Sequence, residues 1–151
     1  MYSRYLSVIS ILVLATVLFS CKKDANQGEI DRGLIEAYIM ENQLAGTYSS
    51  SGLYYVIEEE GEVEHPNLNS NVATSYKEES LYGIVYDEKE YYTEILSQKI
   101  PGVQEGLQLI GEGGSIKLLI PSNLAYGSNG NENIGPNEVI VYDVTLHYFN
   151  Q

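Results

Sequence analysis

The segment Asn137 to Phe149, NEVIVYDVTLHYF, alternates with a period of two. On an extended backbone Val139, Val141, Asp143 and Thr145 point one way, and Ile140, Tyr142, Val144 and Leu146 point the other. A strand this long cannot stand alone, because its backbone N–H and C=O groups need neighbouring strands. The rest of the chain offers them. Leu53 to Glu58 reads as a strand that runs into a solvated acidic turn. Residues 71–87, NVATSYKEESLYGIVYD, read as two strands joined at Gly83, or as one long bent strand. EYYTEILSQ, residues 90–98, reads as a short extended segment, and GEGGSIKLLIP, residues 111–121, as a turn and a strand.

Two segments carry helical spacing instead. In EIDRGLIEAYIMENQL, Ile30, Leu34 and Tyr38 recur every four residues with Ile35 and Ile39 beside them, which predicts an amphipathic helix over residues 29–43. Glu29 and Asp31 at its start suit the helix dipole. In IPGVQEGLQLI, Pro101 is placed to start a helix of about two turns, with Ile100, Val103, Leu107 and Ile110 on one face. Strands with one short helix inserted give an α+β pattern.

The first residues belong to a different kind of segment. MYSRYLSVISILVLATVLFSCKKD opens with Arg4, continues with an apolar core from Leu6 to Phe19, and ends at LFSC. That core is too short to span a bilayer comfortably, and it reads as an export signal. A Leu, two further residues and Cys21 resemble a bacterial lipobox, which implies cleavage before Cys21 and acylation of that residue. Cys21 is the only cysteine, so no intrachain disulfide is possible. The expected organisation is residues 1–20 as signal peptide, 21–28 as a polar tether, 29–70 as helix, first strand and acidic loop, and 71–151 as the main domain. Lys22 after Cys21 lacks an acid that retains some lipoproteins at the inner membrane, which favours the outer one.

Composition excludes several function classes. The 151-residue chain carries a formal charge of −13, which repels phosphate backbones and argues against nucleic-acid binding. The two histidines, His65 and His147, lie far apart without Cys or His partners, so a metal site is poorly supported. No G-x-S-x-G elbow and no phosphate-binding loop occurs. An enzyme built this way works without cofactor, metal or covalent intermediate. The aromatics are 14 Tyr, 2 Phe and no Trp, and tyrosine suits half-buried grooves.

Three blocks then stand in a telling order: KIPGVQEGLQLIGEGG, KLLIPSNLAYGSNG and NIGPNEVIVYDVTL. Together with VATSY and IVYD they resemble the FKBP-type peptidyl-prolyl isomerases over about residues 71–149. The resemblance implies an antiparallel sheet of five to six strands wrapped around one short helix. It also implies a proline pocket. Tyr126 matches the tyrosine that donates its hydroxyl to a ligand carbonyl, with the loop Ser128 to Gly135 as one wall. Tyr76 matches the aromatic of an early strand, Tyr86-Asp87 a Phe-Asp pair, and Tyr92 a pocket phenylalanine. Lys99-Ile100 stands at the Val-Ile step, whose isoleucine N–H meets the bound peptide. Tyr142 matches the phenylalanine of the closing strand and Ile134 the isoleucine of the loop. The implied catalytic residues are Tyr126, Asp87 and Ile100, with Asp87 orienting the pocket wall rather than acting as a base.

The sequence departs from the family at several of these places. Val103 replaces the tryptophan of the pocket floor, tyrosine replaces phenylalanine at Tyr86, Tyr92 and Tyr142, and Lys77-Glu78 replaces Thr-Gly. The expectation is therefore a membrane-anchored isomerase that assists folding of exported proteins and acts on proline-containing polypeptides. The alternative is a weakly active or non-catalytic module that binds a proline segment within a cell-envelope complex.

Overall fold

The computed structural model describes residues 26–150. The signal peptide expected over residues 1–20 and the lipidation site expected at Cys21 lie outside the described residues. A helix, α1, runs through residues 26–42. It is followed by β1 (Thr47–Tyr48), β2 (Tyr54–Glu59), β3 (Asn71–Ser80) and β4 (Val85–Ile95). A single 3-10 turn at Leu96–Gln98 leads into α2 (Pro101–Leu107), then β5 (Ser115–Ile120), a second 3-10 turn at Ser122–Leu124, and β6 (Ile140–Asn150). The six strands form one antiparallel sheet in the order β1-β2-β5-β6-β3-β4.

The alternation of β6 sets up two cores. Ile140, Tyr142, Val144 and Leu146 join Leu118, Val103 and Leu107 beneath α2. Val141 and the neighbouring Val139 join Tyr54, Leu119 and Ile35 beneath α1. A strand with both faces covered sits inside the sheet, and β6 indeed lies between β5 and β3. Register follows from this, with Tyr142 opposite Leu118 on one side and opposite Glu78 on the other.

α2 lies unusually close to the sheet because two glycines face β5. A Cβ on Gly102 would stand 2.4 Å from Ile120 Cγ2, and one on Gly106 would stand 2.6 Å from Leu118 Cδ2. Pro101 starts this helix at its first position, with Ile100 extended before it at φ −61° and ψ 150°.

Three expectations need correction. Residues 26–28, expected within the polar tether of 21–28, are helical, so the helix includes residues ahead of the expected start at 29. The apolar stripe of α1 is rotated, since Ile30 and Leu34 are 47% and 39% exposed while Asp31 and Ile35 are buried. Ile35, Tyr38 and Ile39 do face the sheet as expected, but the buried row begins with the carboxylate of Asp31, so apolar spacing alone placed its first turn at Ile30 and Leu34. Asp31 Oδ2 accepts the Ser122 N–H at 2.8 Å and its hydroxyl at 2.6 Å, tying α1 to the turn after β5. Finally, β2 pairs with β5 along its length, so the sheet runs straight across the boundary expected at residue 70.

β3 and β4 are joined through Gly83, at φ +78°, as two strands and not one bent strand. The extended segment at residues 90–98 splits, with 90–95 completing β4 and 96–98 forming the 3-10 turn. Within β4 there is a bulge: Thr74 pairs with Tyr92 and Tyr76 with Lys89, so two residues of β4 oppose Ser75 alone. Tyr91 sits there at φ +52° and gives its N–H to Ser75 Oγ at 3.2 Å. A matching irregularity in β6 leaves His147 unpaired, 2.6 Å from the same Ser75 Oγ and stacked on Tyr91 at 5.2 Å. The extra residue switches the parity of β4, so that Asp87 and Glu94 reach the same cavity.

Candidate active site

That cavity has a volume of about 250 Å³ and lies between β3, β4, β6, the N-terminus of α2 and the turn after β5. It is a little below the ~300–1,000 Å³ of sites that take drug-sized ligands, and it suits a single small ring. Tyr76 and Tyr142 form one wall, stacked with centroids 5.1 Å apart and planes 17° from parallel. Tyr92 meets Tyr76 edge-on at 6.5 Å and is 43% exposed, which puts it at the rim and not in the lining. Val103 and Ile100 supply the aliphatic side, and Tyr126 closes the far end.

Tyr126 owes its place to the chain path after β5. Pro121 ends the strand, the 3-10 turn at Ser122–Leu124 follows, and Gly127 at φ +63° turns the backbone away. The tyrosine is thereby left on the turn with its hydroxyl aimed at β3. There it donates to Glu78 Oε1 at 2.7 Å.

The lining is more charged than the resemblance implies. Tyr76 donates its hydroxyl to Asp87 Oδ2 at 2.6 Å, and Asp87 Oδ1 lies 3.0 Å from Lys89 Nζ. The Tyr76 hydrogen bond, with Lys89 behind it, holds the Asp87 carboxyl below its usual range. Glu78 is buried, and burial pushes its carboxyl up, partly offset by the Tyr126 hydrogen bond. Burial, reinforced by neighbouring acids, raises the hydroxyls of Tyr76, Tyr126 and Tyr142 well above their ordinary value. All three therefore stay protonated at neutral pH.

Lys99 enters the same space. Its ammonium lies 4.3 Å from the centre of the Tyr76 ring, 5.7 Å from that of Tyr92 and 3.5 Å from the Tyr142 hydroxyl, and it is ion-paired with Glu94. Among the described residues, the Ile100 N–H has no acceptor.

Seven of the sequence-derived residues thus line one cavity: Tyr76, Asp87, Lys99, Ile100, Val103, Tyr126 and Tyr142. Tyr86 instead packs against the core and donates its hydroxyl to Glu138, with its pKa pushed up to about 12 by burial and that hydrogen bond. Ile134 is buried in the core, and the Ser128 to Gly135 loop contributes nothing to the lining. Glu78, Glu94 and Gln98 also line the cavity; Glu78 was expected only as a departure from the family's glycine, and Glu94 and Gln98 carry no sequence signal of their own. Among the described residues, no group of His, Cys, Asp and Glu could hold a metal ion.

A larger cleft of about 380 Å³ lies elsewhere, between α1 and the turn after β5. Its buried carboxylate, Asp31, is already committed to Ser122, and no stacked aromatic pair lines it. Shape and chemistry both favour the smaller cavity.

Comparison with known proteins bears on the same residues. The family model described as FKBP-type peptidyl-prolyl cis-trans isomerase matches residues 63–147. A probable FKBP-type peptidyl-prolyl cis-trans isomerase FkpA of Neisseria meningitidis serogroup B is 40% identical over 118 residues, covering 74% of this chain and 43% of that protein. FkpA of Escherichia coli strain K12 is 42% identical over 102 residues, covering 65% of this chain and 38% of that protein. The chain therefore spans about two fifths of the length of these curated relatives. The crystal structure of Escherichia coli FkpA superposes with a TM-score of 0.74 at 33% identity, over 98% of this chain and 71% of that one. A peptidyl-prolyl isomerase structure from Pseudomonas syringae shares the fold, with a TM-score of 0.74 at 22% identity over 83% of this chain and 95% of that one. With the family model covering more than half the chain and the three sequence blocks folded around a single cavity, this protein belongs to the FKBP-type peptidyl-prolyl cis-trans isomerase family.

Proposed function

We propose that the protein is a lipid-anchored peptidyl-prolyl isomerase of the bacterial cell envelope that acts on exported polypeptides. The observation that carries the reading is the convergence of Tyr76, Tyr142, Val103, Ile100 and Tyr126 on one ring-sized cavity in a chain of this family.

The chemistry needs no acid, base or nucleophile. Rotation about an X–Pro bond is slow because amide conjugation imposes a barrier of about 18–20 kcal/mol. At the twisted transition state the C–N bond is single-like and the carbonyl has turned. The pyrrolidine ring would lie against Tyr76 and Tyr142 above Val103, with Asp87 fixing Tyr76 through its hydroxyl. The free N–H of Ile100 would hold the peptide. The Tyr126 hydroxyl would reach the rotated carbonyl by exchanging its bond to Glu78, and it accelerates the reaction only as far as the new bond is stronger in the twisted form. Each tenfold acceleration requires about 1.4 kcal/mol of such preference.

Anchoring rests on the apolar run Leu6 to Phe19, which ends within LFSC at residues 18–21, with several acyl chains on Cys21 holding the protein where one alone binds only marginally. Labelled palmitate should enter the parent and not Cys21→Ser; equal labelling would remove the anchor from the account.

A second reading has its own observation. The hydroxyls of Tyr76 and Tyr126 are both committed to carboxylates, which leaves little free donor for a rotating carbonyl and suits a module that binds a proline segment without turning it over. A protease-coupled assay on X-Pro peptides with the protein in detergent micelles separates the two. Turnover above buffer supports the isomerase; saturable binding at the buffer rate supports the binding module.

A further inference from the structure

We propose that Lys99 decides which prolyl segments the cavity accepts, by keeping its own ammonium where the substrate ring has to lie; the inference rests on the isomerase reading above. The Lys99 side chain is only 5% exposed, although lysine normally keeps its charge in water. Its ammonium is caged by the Tyr76 and Tyr92 rings at 4.3 and 5.7 Å, the Tyr142 hydroxyl at 3.5 Å and the Glu94 carboxylate. Aromatic faces and a carboxylate around a cation are the usual chemistry of cation recognition. Here the cation is supplied from within. A ring seeking the Tyr76–Tyr142 wall meets it first.

Charge explains why a lysine is retained there. Three carboxylates line the cavity, Glu78, Asp87 and Glu94, and Lys99 is the one cation among the lining residues. Asp87 has Lys89 outside the cavity as a partner, whereas buried Glu78 is bonded only to the neutral Tyr126 hydroxyl. Swinging the long flexible stem outward vacates the seat and removes the positive charge from Glu78 and Glu94. A substrate with Lys or Arg next to its proline replaces that charge. One with Glu or Asp there adds a fourth carboxylate. The cavity therefore favours basic over neutral over acidic residues beside the proline.

The test uses the full chain in detergent micelles and the peptides Ala-X-Pro-Phe with X as Lys, Leu or Glu. At low salt, kcat/KM for X as Lys should exceed that for X as Glu on the order of tenfold, the scale of one partly screened charge contact, and added salt should narrow the gap. Lys99→Met keeps the unbranched stem and removes the charge. It should lower KM for the Leu peptide several-fold and widen the Lys-over-Glu gap. Turnover with an unchanged or raised KM in Lys99→Met, or a preference for Glu in the parent, overturns the inference while leaving the isomerase reading intact. A second readout is independent of turnover. Acetylation of Lys99, followed by mass spectrometry, should be slow in the free protein and should speed up in saturating Leu peptide. A rate that the peptide leaves flat or slows overturns the inference even if the isomerase reading has itself failed for want of turnover.

Discussion

Tyr126 has one hydroxyl proton and two claimants for it, the Glu78 carboxylate and the carbonyl of a bound peptide. Because the hydroxyl already has a charged acceptor at 2.7 Å, its net gain on meeting a substrate carbonyl is small. Tyr126→Phe should therefore lose only a few-fold in kcat/KM, under about 1 kcal/mol. Asp87→Ala leaves the Tyr76 hydroxyl without its 2.6 Å partner and loosens the ring that forms the wall. It should cost about 1–3 kcal/mol, roughly five- to 150-fold in kcat/KM. Equal activity of both variants and the parent in the peptide assay would contradict these roles. Val103→Trp restores the indole floor but brings it into the space that Lys99 shares. Turnover should rise clearly only when Val103→Trp is combined with Lys99→Met, a non-additivity that a double-mutant cycle reads directly.

Glu78 also gives a pH dependence whose sign is fixed. Burial raises its carboxyl above the ordinary 4.5. A raised acid contributes stability that is fully present below the unfolded value and is lost as pH rises through the folded one. Glu78→Gln removes that loss, so its melting temperature relative to the parent should climb as pH rises through that window. Asp87 runs the opposite way, since its carboxyl is held below its ordinary 3.8 and its contribution is lost on acidification. Comparing Glu78→Gln with the parent at each pH cancels the Asp87 contribution; a constant offset would contradict the burial argument.

At the scale of elements, the wall of the site depends on irregularities. Asp87 and Glu94 differ in parity along β4 and reach one cavity because the bulge at Tyr91 inserts a residue between them. Nothing in the alternation of YDEKEYYTEI marks that extra residue, which is why Glu94 was invisible in the sequence while Asp87, sitting in a motif, was not. Glu78 was visible as a substitution for the family's glycine, but its place in the lining was not, because only the fold shows it turned inward to Tyr126. β6, β5 and α2 were legible because β6 alternates through Leu146, β5 is an apolar run closed by Gly114 and Pro121, and α2 has helical spacing opened by Pro101. The buried face of α1 was legible at Ile35, Tyr38 and Ile39 but not in its first turn, where the buried residue is the charged Asp31. Gly102 and Gly106 let α2 approach β5, and a methyl at Gly106 would meet Leu118 at 2.6 Å. Gly106→Ala should therefore destabilise by about 1–3 kcal/mol, read by chemical unfolding, despite alanine's better helix propensity. A more stable variant would show that the contact relaxes freely.

At the scale of the whole molecule, one sheet carries two cores, with α1 on one face and α2 on the other. The cavity sits on the α2 side, where β3, β4 and β6 meet the start of the helix. The cleft beside α1 on the opposite face is larger, but its buried carboxylate, Asp31, is committed to Ser122. The cavity on the α2 side is the proposed seat of the prolyl bond. NMR of the protein with a prolyl-labelled Ala-Leu-Pro-Phe peptide tests that most directly. Proline ring protons should show close contacts to the rings of Tyr76 and Tyr142, together with exchange between the bound cis and trans forms. Contacts to Tyr48 and Ser122 in the α1 cleft, with none to Tyr76 or Tyr142, would contradict it.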